Sequence, residues 1–334
     1  MYTFANQTGS IPLSHLDDNF TEVEGQVSSI NGEIVTIDGQ ITTIQSDITT
    51  LQGQVAGINV LGLKNRIING NMNIAQRGTS FSGVTATGAA TYFVDRFYYN
   101  GISGGAGIVT VSQDSSVPSS NEFLYSAKIA VTTADSSISS SDYYAFSQHI
   151  EGYNVRDLIG NTFTLSFWVK SSVTGTYCVS FRNNTSGTPN RSWVSTYTIS
   201  SANTWEYKTI TVTGGLITAG TWDWTNGGGL GVGWALAAGT TWQTTAGAWN
   251  TGNYLTTSGQ VNAMGTIGNV FAITGVQLEK SSTATSFEYR PYGLEVALCN
   301  RYYQHANFAK NYLGFGASSL DQLHFLFKCE QLQR

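Results

Sequence analysis

The chain has 334 residues, 41% hydrophobic and only 11% charged, with 16 Lys and Arg against 21 Asp and Glu for a formal net charge of −5. The charge is unevenly spread: residues 1–63 hold seven acids and no Lys or Arg, which leaves sixteen bases and fourteen acids in the other 271. A near-neutral second part offers no basic stripe to a phosphate backbone, and no run of eighteen apolar residues exists, so neither nucleic-acid binding nor membrane insertion is expected.

The first stretch, "MYTFANQTGSIPLSHL", has neither a basic start nor an apolar signal core, so no secretory leader is expected. Residues 1–12 read as an attachment segment, of which 2–9 are extended and free to pair with another protein. Pro12 suits the first turn of a helix, and Ser14 with Asp17 fits a capping box.

A helical stalk follows over residues 13–62. Its apolar positions are Leu13, Leu16, Phe20, Val23, Val27, Ile30, Ile34, Ile37, Ile41, Ile44, Ile48, Leu51, Val55 and Ile58, with gaps of three and four alternating throughout. A strict 3.5-residue repeat over six heptads predicts a left-handed coiled coil. With Ile34 at position a, Gly25, Gly32, Gly39 and Gly53 all fall at f, farthest from partner helices. Each glycine still weakens the helix by about 1 kcal/mol relative to alanine. A lone helix of this composition is therefore unstable in water, and burial of the seam has to hold it. Isoleucine at both a and d disfavours two strands and shifts preference to three or four. We expect three, in parallel. The e and g positions are mostly Asn, Gln, Glu and Asp with no cation, which points to self-assembly. At 1.5 Å per residue the rod is roughly 70 Å long.

Residues 63–290 read as a β head. From Phe123 onward, segments rich in Val, Ile, Thr and aromatics alternate with Gly, Ser and Asn clusters. In "FTLSFWVKSS", Phe163, Leu165, Phe167 and Val169 share one face and Thr164, Ser166, Trp168 and Lys170 the other. "FLYSAKIAV", "YYAFSQHIEG", "YCVSFR", "SWVSTYTI", "TWEYKTITV" and "VFAITGVQLE" read alike, joined by turn clusters such as "NNTSGTPN" and "TNGGGLGVG". The fold class expected is mainly β: a jelly-roll β-sandwich head after the coiled coil. Residues 291–334 predict a short helix in "YGLEVALCNRYYQHA" and a strand or two beyond it.

Four stretches resemble bacteriophage tail fibre proteins: "FANQTGSIPLSHLDDNF", "NRIINGNMNIAQRGTSF", "YFVDRFYY" and "ITGVQLEKSSTATSFEYRPYG". The resemblance implies a homotrimeric virion component, assembled in the host cytoplasm. Its first 20 residues or so would dock on a tail or baseplate protein. Its head, similar to a carbohydrate-binding module, would meet the host surface polysaccharide or receptor. Such fibres often carry a longer variable tip, whereas only some forty residues follow Pro291 here.

Catalytic and cofactor signals are weak. No H-E-x-x-H, C-x-x-C or phosphate-loop motif is present, and "GGGLGVG" at 227–233 misses the dinucleotide spacing and reads as a loop and strand start, so neither a metal nor a cofactor is expected. Cys178, Cys299 and Cys329 are odd in number and far apart, and read as buried thiols. The histidines are scattered; His149 falls in a strand-like segment, where a structural role is expected. Two other functions stay open. A glycan-degrading tailspike needs two carboxylates facing one groove, for which Asp223 and Glu206 are the acids set among aromatics. A structural or decoration protein needs no ligand at all. All eight tryptophans lie between Trp168 and Trp249. At least half are expected in the core or trimer interface. Trp224 and Trp242 are expected to be more exposed than Trp193 and Trp205 and to stack on sugar, with Asp223 and Asn226 bonding its hydroxyls.

Overall fold

The computed structural model describes residues 9–10, 12–58, 63–104, 106–119, 122–183 and 189–305, with the side chains of 51–58 outside that description. By its contacts the chain divides into two units, Met1–Gly62 and Leu63–Arg334.

In the first unit, α1 runs unbroken from Leu13 to Ile58, 46 residues, and its first turn closes with His15 N–H on the Pro12 carbonyl at 3.0 Å. Threonine is a poor helix former because its hydroxyl competes for the backbone. Here Thr21, Thr36, Thr42, Thr43, Thr49 and Thr50 each donate Oγ1 to the carbonyl four residues back, at 2.9–3.1 Å, so the hydroxyls are satisfied within the helix. Leu16, Val23, Val27, Ile30, Ile34, Ile37, Ile41, Ile44 and Ile48 form one stripe, each 39–55% exposed. The single chain leaves the seam uncovered. Leu51, Val55 and Ile58 continue the same helix, their side chains lying outside the described part. The extended segment expected at residues 2–9 lies almost wholly outside the described residues.

The second unit is mainly β. In chain order its strands are β1 (Ser80–Thr85), β2 (Thr91–Tyr92), β3 (Phe97–Ile102), β4 (Ile108–Asp114), β5 (Ser126–Thr133), β6 (Tyr143–Glu151), β7 (Phe163–Ser171), β8 (Gly175–Asn183), β9 (Arg191–Ile199), β10 (Glu206–Val212), β11 (Gly228–Ala238), β12 (Trp249–Thr251) and β13 (Val270–Glu279). The helix α2 (Tyr292–Asn300) follows. Six strands form one sheet in the order β1-β4-β5-β13-β7-β10, and seven form the other in the order β12-β9-β8-β11-β6-β3-β2. Every ladder is antiparallel. Alternate residues of both sheets face a common core: Phe163, Leu165, Phe167 and Val169 of β7 lie with Phe97, Phe146, Phe181 and Trp234 of the other sheet, all fully buried. This is the two-sheet sandwich expected.

Three expectations are corrected. Strands begin well before Phe123, because β1, β3 and β4 supply Val84, Phe97, Tyr99, Val109 and Val111 to the core. "TNGGGLGVG" is a turn cluster only to Gly227: from Gly228, in keeping with the reading of 227–233 as a loop and strand start, it is the start of β11, between β8 and β6. A Cβ at Gly229 would lie 2.4 Å from the Gly152 Cα and one at Gly233 3.0 Å from Ser147 Oγ, so these glycines serve close approach. Finally, residues 291–305 are no separate segment: α2 packs Cys299, Val296 and Leu298 on Ile68 and Ile74. The strands expected beyond it, with Cys329, lie outside the described residues. Cys178 and Cys299 are buried free thiols.

Candidate binding site

Residues 64–78 have no periodicity and form no helix or strand, yet they are among the most buried polar residues of the head. Asn65 explains part of this. Its Nδ2 donates to the Val276 carbonyl at 3.0 Å, and its Oδ1 accepts the N–H groups of Ile67 at 2.9 Å and Leu278 at 3.0 Å. Glu288 accepts the N–H groups of Lys64 and Asn65, and the buried Arg290 guanidinium bridges Glu288 and Glu295 while donating to the carbonyls of Asn65 and Ile67. Asn69 ties the Ile74 and Asp95 carbonyls together, at 2.9 and 3.0 Å, and Glu295 accepts its backbone N–H. Gly70 passes so close to the Val276 carbonyl that any Cβ would overlap it. Three of the four stretches that resemble tail fibres, those around residues 65–81, 92–99 and 273–293, therefore meet in one buried polar clasp.

The clasp forms one wall of a cleft of about 560 Å³ lined by Arg77, Tyr92, Asp95, Arg96, His149, Glu151, Asn226, Gly227, Arg301, Tyr302 and Tyr303 among others. Such a volume suits a small ligand. Arginine and tyrosine alternate in it. Arg77 lies 3.6 Å from the Tyr303 ring centre and 5.0 Å from Tyr92, and Arg96 lies 3.2 Å from Tyr302. Arg301 grips Glu151 with two bonds, at 2.9 and 3.1 Å, and Asp95 lies 3.8 Å from Arg77. The His149 ring nitrogen Nε2 meets the Tyr98 hydroxyl at 2.5 Å. Burial first, then the charges of Arg182 and Arg96, push this imidazole down to about 3, so it is neutral at physiological pH. Its neighbour Arg96 holds a left-handed backbone, φ 73°, where a residue with a side chain is strained.

Beside the cleft, the loop before β11 carries Trp222, Asp223, Trp224 and Asn226. Asn226 is exposed and lines the cleft. Trp222 and Trp224 stack with ring centres 4.9 Å apart and planes 11° apart, Trp249 meets Trp222 edge-on at 5.7 Å, and Trp193 meets Trp249 at 5.9 Å. Trp193, Trp222 and Trp249 spend their indole N–H groups on Ser195, the Ala219 carbonyl and the Gly215 carbonyl. Asp223 is turned inward on its own loop, where its Oδ1 accepts the Thr225 hydroxyl and N–H at 2.7 and 2.8 Å. Those bonds, the hydroxyl's first, hold its carboxyl below the usual range.

Trp242 lies elsewhere. It follows the last residue of β11 and packs on Tyr143, the first of β6, with ring centres 4.5 Å apart and its N–H on the Ser141 carbonyl at 2.8 Å. Trp224 lies by Gly152, just past the other end of β6. A nine-residue strand separates them by roughly 25 Å, so the two rings expected to share a sugar do not share a surface. Nor are Trp193 and Trp205 set apart from them by burial: all four are half-buried, and of the eight tryptophans only Trp234 is fully buried. Asp223 and Glu206 also lie apart. Glu206 caps Ser200 and Ser201 just past the end of β9, whereas the Asp223 loop bonds Asn190 just before its start.

The arginines and tyrosines of the cleft were not among the residues singled out from the sequence. Their signal was faint: three of only sixteen basic residues, each in a stretch that resembled tail fibres or in the helix that follows.

No protein family and no curated protein matches the sequence. Among solved structures, the enzymatically active domain of tailspike protein 4 of bacteriophage CBA120 aligns over 65% of this chain and 21% of its own, at 16% identity and a TM-score of 0.32. The chain thus spans about a fifth of the length of that tailspike. A putative sugar-binding protein from Bacteroides thetaiotaomicron aligns over 65% of this chain and 100% of its own, at 15% identity and TM-score 0.36. A family 11 carbohydrate-binding module from Clostridium thermocellum, solved with a mixed-linked tetrasaccharide, covers 62% and 98% at 11% identity and TM-score 0.33.

Proposed function

We propose that the chain is a trimeric bacteriophage tail fibre that attaches the virion to the host by binding surface glycan, without cleaving it. The cleft carries the glycan reading. Its walls combine flat tyrosine faces with several hydrogen-bonding groups of both kinds, the combination that holds the apolar faces and hydroxyls of a sugar ring. The uncovered stripe of α1 supports the trimer, since three copies packed in parallel would remove it from water. In this reading the first 20 residues dock on the tail or baseplate.

An array of bacterial surface polysaccharides, probed with the purified full chain, tests the glycan reading. We expect a subset to be retained, and retention to fall at least tenfold in Asn226→Ala and Tyr92→Ala while the melting temperature holds. A folded fibre that retains nothing refutes glycan binding, and binding indifferent to both substitutions moves the site away from the cleft.

A further inference from the structure

The charges of the cleft do not close. Glu151 is taken by Arg301 and Asp95 lies beside Arg77, which leaves Arg96 without a carboxylate among the described residues. The Arg96 guanidinium donates to the His149 carbonyl and lies flat on Tyr302, and its Nε is buried with no acceptor. An arginine fork presents five donors suited to a carboxylate. Behind it stands Arg182, also buried and also without an acid, with its Nη1 on Asn253 Oδ1 at 3.0 Å and its own Nε unpaired. His149, between them, is neutral and supplies no counter-charge.

We propose that the cleft selects sugars that carry a carboxylate, uronic or sialic acids, by pairing that group with Arg96. This deepens the glycan reading above and rests on it. A neutral sugar would offer the Arg96 guanidinium only hydroxyl acceptors, whereas a carboxylate supplies charge-assisted bonds and the missing counter-charge. Burial, the largest influence, already pulls the Arg96 pKa below its usual value, as expected of a cation short of a partner. The strained backbone at residue 96 fixes the direction in which the side chain leaves the turn before β3 and so positions the fork at the cleft.

The test compares an acidic bacterial polysaccharide before and after its carboxylates are reduced to alcohols, and free glucuronate and N-acetylneuraminate against glucose and galactose, by calorimetry on the full chain. The acidic forms should bind at least tenfold more tightly, and the margin should shrink with added salt. Asn226→Asp places a negative charge on the exposed rim without touching the core. It should weaken the acidic ligands by about tenfold more than it weakens neutral ones. Arg96→Gln should abolish the preference, with tryptophan fluorescence to confirm folding. Equal affinity for native and reduced polysaccharide, or an Asn226→Asp variant that binds acidic ligands as well as before, overturns the proposal and leaves glycan binding standing. Failure to bind either form removes both.

Discussion

Replacing Asn65 with leucine keeps the volume of a buried side chain and deletes its polar end. Three hydrogen bonds disappear, to Val276, Ile67 and Leu278, and the N–H groups of Ile67 and Leu278 lose the side-chain oxygen that accepts them both. Each buried donor left unpaired costs about 1–3 kcal/mol, so a loss on the order of 3–5 kcal/mol is expected. For a head of this size, 1 kcal/mol moves the melting temperature by roughly 2–4 °C, which gives a shift on the order of 10 °C. Because every tryptophan lies between residues 168 and 249, the fluorescence melt of the full chain reports the head free of any stalk signal. An Asn65→Asp variant keeps the acceptor for both N–H groups and should recover part of the loss. A fall of less than about 2 °C in Asn65→Leu would show that water or neighbouring groups satisfy these donors and that the clasp is not a point of strength.

Placing Asp at both Ile37 and Ile41 would put six carboxylates in the seam of a trimer; light scattering should then give a single-chain mass where the native chain gives three, and a native dimer or monomer would refute the stalk reading. Deleting residues 2–12 should leave a folded trimer that no longer joins tails, and normal incorporation into virions would place the docking site elsewhere. Trp242→Ala should lower the melting temperature by several degrees without altering polysaccharide binding, since the ring packs on Tyr143 away from the cleft; weakened binding would reinstate that end as a site. Burial alone would raise the Glu206 pKa, but bonds from Lys208 and the Ser200 and Ser201 N–H groups outweigh it and hold the value below 4.5. A depressed folded pKa gives stability that is present above the unfolded value and lost as pH falls through the folded one. The melting temperature of the native head should therefore drop below about pH 4.5 more steeply than that of Glu206→Gln.

Where the fold was legible in the sequence, side-chain alternation had spoken for it. β6, β7, β9, β10 and β13 each show period-two apolar residues, and the strands lie where that pattern put them. β11 was legible only as a strand start after a loop, because its outward Gly231 and Gly233 carry no side chain to read and Gly233 faces Ser147 closely. The clasp hid for another reason: Asn65, Asn69 and Gln76 bond groups 5 to more than 200 residues away, and no local pattern encodes such pairs. Of the residues lining the cleft, Asn226 was singled out as a polar group beside Trp224, while Arg77, Arg96 and Tyr302 were not, since each is ordinary in its own segment and distinctive only once β3, β6 and α2 bring them together. Trp242 misled for the converse reason, a polar and glycine-rich neighbourhood shared with Trp224 in the chain and not in space.

The clasp also decides how the head would bear a pull. Lys64 and Asn65, where the chain enters this unit, sit on Glu288, and Gln76 bonds the Tyr303 carbonyl and the His305 N–H. A tensile load entering at Lys64 passes to Glu288 and Arg290 within a few side chains and, through Asn65, to Val276 and Leu278 of β13. A pull at that point would therefore meet the sheet at β13, an interior strand held by β5 on one side and β7 on the other, and not at an edge that could peel.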